Sequence, residues 1–142
     1  EELLFRGWLQ SELKLFWGGQ PAVVGQALIF SLVHTRFNLG VSAMISLLIG
    51  LFLLGMLLSI QRKIDQNSLW GCIGLHGGLV GGWFVLQTEL LQISNDAPDW
   101  LVGPGGTNTN PLGSNLAIVA LIAIILRKRL KPSSSQASEK TP

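Results

Sequence analysis

Charge is scarce in this sequence. Only 13% of its 142 residues are Asp, Glu, Lys or Arg, against 48% hydrophobic. A soluble domain carries about 25% charged residues, so the shortfall points to a bilayer as the surrounding medium. There is one cysteine, Cys72, inside an apolar run. It cannot form an internal disulfide, and the redox compartment stays open. No phosphate loop, no CxxC pair and no HExxH is present, so the soluble enzyme classes those motifs mark find no support. The basic cluster "RKRLK" at 127–131 directly follows an apolar run. That placement makes it a membrane stop, and no nucleic-acid partner is expected. No initiator Met and no signal-peptide pattern opens the chain. The expectation is a piece of a longer protein whose first helices lie upstream.

What is present is a succession of apolar segments. "EELLFRGWLQSELKLFW" (1–17) repeats apolar residues at three- and four-residue spacings and reads as a helix. "GGQP" (18–21) breaks it, with Pro21 suited to the first turn of the next helix. "AVVGQALIFSLVH" (22–34) is apolar but short. "LGVSAMISLLIGLFLLGMLLSI" (39–60) has no charge over 22 residues, and about 20 such residues span a hydrocarbon core. "QRKIDQNS" (61–68) reads as a polar turn, and 69–87 as a second span. Residues 88–114 read as a loop, and "SNLAIVALIAIIL" (114–126) as a last span. The predicted fold is all-α, a polytopic transmembrane helical bundle. One membrane-embedded domain covers 1–131, and the Ser-rich segment 132–142 is a disordered tail.

If successive helices cross the bilayer, Lys14, Arg62, Lys63, Arg127, Lys128, Arg129 and Lys131 share one face, and Arg36, Glu89, Asp96 and Asp99 the other. The positive-inside rule makes the first face cytoplasmic or stromal. That fits a prokaryotic plasma membrane or a thylakoid or plastid membrane.

Five ionisable side chains remain inside apolar helices: Glu1, Glu2, Arg6, His34 and His76. Such residues are expensive at membrane depth and mark sites. Glu2 and Arg6 stand four apart, so one helical ion pair explains both and leaves Glu1 unpaired. His34 also reads as a helix-end histidine at the interface, whereas His76 lies mid-span. At about 1.5 Å per residue, Glu1, His34 and His76 reach a similar depth. Phe30 shares a face with His34 and by itself reads as packing. Gly74, Gly78 and Gly82 recur every four residues beside His76 and are expected to let another helix approach closely.

The pattern resembles the CAAX-processing endopeptidase and bacteriocin-immunity family of intramembrane proteases, often called CPBP or Abi proteins. Their EExxxR motif is matched by Glu1, Glu2 and Arg6, followed by Gly7. Their FxxxH motif is matched by Phe30 and His34 in "FSLVH", and their third-motif histidine by His76 in "SLWGCIGLH". "IGLFLLG" (49–55) looks like the family's glycine-containing helix. The match covers roughly residues 1–82. One position departs from the pattern: Val80 stands where the family commonly has Asn or Asp, so an oxyanion-stabilising role cannot be carried over.

The resemblance implies an intramembrane endopeptidase acting on a membrane protein or a lipidated, CAAX-type peptide. Glu1 is the expected base, Glu2 pairs with Arg6, and His34 and His76 position water, bind a metal or donate to the oxyanion. Glu1, His34 and His76 would suit Zn²⁺ with an open position for water, and a metal-free glutamate mechanism is equally open. Val80 favours an alternative, a catalytically silent member that regulates a membrane partner or gives bacteriocin self-immunity. A proton-coupled carrier using Glu1 and His76 needs no protease motif, and the ordered three-motif match argues against it.

Overall fold

The computed structural model describes residues 1–94, 96–104 and 110–130. The expected tail at 132–142 lies outside the described residues. Every regular element described is helical. Helix α1 begins as a π-helical segment, Leu3–Leu9, and continues as Gln10–Trp17. Gly18, at φ +80°, takes a conformation open to glycine and ends it. Helix α2 runs Gly19–Val33, with Pro21 in its first turn. Helix α3, Val41–Ile64, is the longest, at 24 residues and a mean hydropathy of 2.6. Helix α4, Trp70–Val85, passes into a π-helical segment Leu86–Leu90. A short α5 (Asp99–Val102), a 3-10 turn (Pro111–Gly113) and α6 (Asn115–Leu130) complete the order.

Several boundaries differ from the sequence reading. The polar turn expected at 61–68 is shorter, because α3 continues through Arg62 and Lys63 to Ile64. Gln66 and Asn67, both at positive φ, then reverse the chain. The expected loop at 88–114 contains the end of the second π segment, α5 and the 3-10 turn. Arg127, Lys128 and Arg129 of the basic cluster lie inside the last turn of α6 rather than after the helix. There they complement the negative end of the helix dipole. Among the described residues one helix, α3, is long and apolar enough to cross a membrane.

Helix α3 is the central post, and α2, α4, α6 and the 3-10 turn all pack on it. Leu47, Leu51, Leu54, Leu57 and Leu58 are buried along it. Glycines on α3 set how close its neighbours come. A Cβ at Gly55 would stand 3.0 Å from both Cα and Cβ of Ala27 on α2, and a Cβ at Gly50 would run into the Leu112 backbone. Buried polar groups fix the register. Ser59 donates to Gln26 at 2.7 Å, Ser31 to the Leu48 carbonyl at 2.7 Å, and the Cys72 thiol to the Leu58 carbonyl at 3.1 Å.

The glycine stripe of α4 behaves differently. Open space lies beside Gly74, Gly78 and Gly82. The close helix approach expected there is therefore absent among the described residues, and α3 supplies it instead. Large apolar side chains such as Leu15, Phe16, Ile45, Phe84 and Val119 point outward.

Candidate active site

The site begins in the wide first turns of α1. The Gln10 N–H donates to the Phe5 carbonyl, five residues back. Single π turns of this kind concentrate at functional sites. Within this segment Arg6 is fully buried, and its Nη1 donates to Glu2 Oε1 at 2.9 Å. The pair expected from the i,i+4 spacing is present, and it is buried on both sides. The Arg6 carbonyl accepts from the Arg62 guanidinium, which also reaches Ser11 Oγ at 3.3 Å. Arg62, assigned by sequence to the charge asymmetry between faces, thus turns inward and ties α3 to the motif. Its distance of 56 residues from Arg6 hid that role.

The two histidines arrive from different helices and present the same nitrogen. His34 is the residue capping the C-terminus of α2. Its Nδ1 stands 2.7 Å from the Phe30 carbonyl, which can only accept, so Nδ1 carries the proton. His76 on α4 places Nδ1 2.8 Å from Glu2 Oε1, a carboxylate acceptor already held by Arg6. Both rings therefore keep Nε2 free. His34 Nε2 lies 3.7 Å from Glu1 Oε1, and His76 Nε2 lies 3.8 Å from Glu1 Oε2. With neutral rings, lone pairs face lone pairs across each gap. A water donating one hydrogen to each side, at about 2.8 Å per hydrogen bond, bridges such a gap.

Phe30 is the packing centre of this group. It is fully buried, with its ring 4.6 Å from that of His34 and 5.8 Å from that of His76. Phe5 meets it edge-on at 5.2 Å, and the Arg6 guanidinium lies 4.1 Å over its face. The bland assignment of Phe30 to packing holds, but what it packs is the site itself. Sequence spacing within FxxxH revealed the His34 contact, and contacts across helices needed the fold.

Glu1, Glu2, His34 and His76 share the wall of one cavity of about 960 Å³. Leu47, Leu51 and Leu54 of α3 form its apolar floor, and Val80 and Trp83 of α4 its flank. Val80 therefore faces the same space as His76, without a hydrogen-bond donor. The structure brings together all five residues singled out by sequence, Glu1, Glu2, Arg6, His34 and His76.

By residue type, Glu1, His34 and His76 form a zinc donor set, and each Nδ1 is held as in metal-bound histidines. The geometry does not close on a metal, however. Among the described residues no group of three or more His, Cys, Asp or Glu stands where it could hold one.

No curated protein and no solved structure matches the chain. A family model described as type II CAAX prenyl endopeptidase, Rce1-like, matches residues 1–81. That range contains Glu1, Glu2, Arg6, Phe30, His34 and His76, and leaves α5, α6 and the cavity-wall residues Trp83 and Asn110 outside. The chain belongs to the Rce1-like family of type II CAAX prenyl endopeptidases, a family of membrane-embedded proteases.

Proposed function

We propose that this chain is a polytopic intramembrane endopeptidase that cleaves a lipidated, CAAX-type peptide with a water activated by Glu1. The observation that carries this reading is the Glu1 carboxylate facing two free histidine nitrogens, at 3.7 and 3.8 Å, on a largely apolar cavity wall. Peptide hydrolysis needs a base for water and a group that transfers the proton onward. Glu1 takes a proton from the water held between it and His34 or His76. The water oxygen bonds to the substrate carbonyl carbon, the C–N bond breaks, and Glu1 delivers the proton to the leaving amine. The histidine Nε2 atoms orient the water. The Glu2–Arg6 pair fixes the His76 tautomer and the turn carrying Glu1. No step passes through a metal.

The bilayer setting is supported by α3, by the outward apolar side chains and by the family. In this reading α4 with its π extension and α6 also cross, in a prokaryotic plasma membrane or a thylakoid or plastid membrane. Val80 on the cavity wall favours one competing reading, a silent member that binds a membrane partner. Turnover of a fluorogenic, prenylated CAAX peptide by the full chain in lipid vesicles separates them. Glu1→Gln lowers kcat by about 100-fold or more, the usual contribution of a positioned base, with an unchanged melting temperature. A Glu1→Gln protein of wild-type activity contradicts the proposal.

A further inference from the structure

The cavity has a base and two water-orienting nitrogens but lacks, at Val80, a donor for the oxyanion of the tetrahedral intermediate. Three other wall residues carry donors: Arg36, Trp83 and Asn110. Trp83 lies seven residues beyond His76, about 10 Å along α4. Arg36 is exposed on the connection after α2. Asn110 is held far more tightly. Its Oδ1 accepts the Leu112 N–H at 3.0 Å, capping the 3-10 turn with Pro111 in the first position. Its carbonyl accepts the Gly113 N–H at 2.9 Å and lies against Gly103, where a Cβ would come within 2.6 Å of it. The next residues lock the turn to α3. Leu112 fills the notch at Gly50, and a Cβ at Gly113 would stand 3.2 Å from the Leu47 nitrogen.

Because Oδ1 is committed to Leu112, the amide orientation is defined and Nδ2 is the group with hydrogens to give. We infer that Asn110 is a catalytic residue of this protease, its Nδ2 donating to the oxyanion in place of the missing side chain at Val80. The inference rests on the proteolytic reading and extends it. A donor fixed before the reaction, in a site walled by apolar groups, stabilises developing charge without reorganisation. Asn110 reaches the cavity from beyond α4, so the turn between α5 and α6 completes the active site.

The test uses the same prenylated fluorogenic peptide in vesicles with the full chain. Asn110→Asp keeps Oδ1 for the Leu112 N–H and removes the donor. It is expected to lower kcat roughly 100- to 1000-fold, the effect of losing one oxyanion donor, with KM and melting temperature nearly unchanged. Val80→Asn placed in an Asn110→Ala background is expected to recover at least about tenfold of the lost kcat, which a merely structural role for Asn110 would not allow. Glu1→Gln run in parallel separates the two levels. If Glu1→Gln abolishes cleavage while Asn110→Asp cleaves at the wild-type rate, the inference is overturned and the proteolytic reading stands. If cleavage does not depend on Glu1, both fall. A loss found at Trp83→Phe or Arg36→Gln with Asn110→Asp silent also overturns the assignment.

Discussion

Arg6 is the most constrained side chain of the site. It is fully buried, bonded to Glu2 at 2.9 Å and stacked over Phe30 at 4.1 Å, and its own carbonyl is held by Arg62. Removing one partner of a buried pair leaves a charge uncompensated, at a cost of about 3–5 kcal/mol. Arg6→Ala is therefore expected to destabilise by that amount in thermal melts, and Glu2→Ala/Arg6→Ala to cost less than the two single changes added. Arg6→Lys should rescue little, because an ammonium does not stack on Phe30 as a planar guanidinium does. An Arg6→Ala protein that melts with the wild type would show the pair to be dispensable. The sequence displayed this pair through its four-residue spacing. It did not display the π turn, which has no propensity signature, nor Arg62, whose charge served equally well as a sign of membrane orientation.

Among the elements, α3 and α4 use glycine for opposite ends. On α3, Gly50 and Gly55 are contact points, against Leu112 and Ala27. On α4, Gly74 and Gly78 face open space. Gly50→Ala should cost about 1–3 kcal/mol through overpacking against backbone that cannot rotate away. Gly78→Ala should leave stability unchanged or raise it by up to about 1 kcal/mol, since alanine favours helix and meets nothing. Equal melting shifts for the two variants would contradict the packing described. Among the described residues, periodicity pointed to glycines that no neighbour covers. A four-residue repeat is visible in sequence, but whether a neighbour covers it depends on tertiary placement. The helices themselves were largely legible, because long apolar runs bounded by Gly, Pro and charge leave few alternatives. Their ends were less so: Arg62 and Lys63 read as turn residues, yet α3 carries them in its last turn.

At the scale of the whole molecule, the charged ends of the helices meet. Lys128 on α6 donates to Gln61 on α3 at 2.6 Å, and Arg62 reaches Ser11 on α1. Basic residues of α3 and α6 thus gather at one end, against α1, as expected if that end lies on the cytoplasmic or stromal side. With Cys72 replaced by Ser, single cysteines at Ser68 and Leu130 should react with an impermeant maleimide from one side of a vesicle, and one at Asp99 from the other. Labelling of Ser68 and Leu130 variants from opposite sides would reject the proposed crossings of α4 and α6.

Hydrolysis by a Glu1-activated water is tested most directly by the oxygen it leaves behind. The wild-type chain in vesicles would be given the prenylated peptide in heavy-oxygen water, and the products weighed by mass spectrometry. One heavy oxygen in the new carboxylate, with product lost in Glu1→Gln, is the predicted result. A product that forms equally well without the Glu1 carboxylate would contradict it.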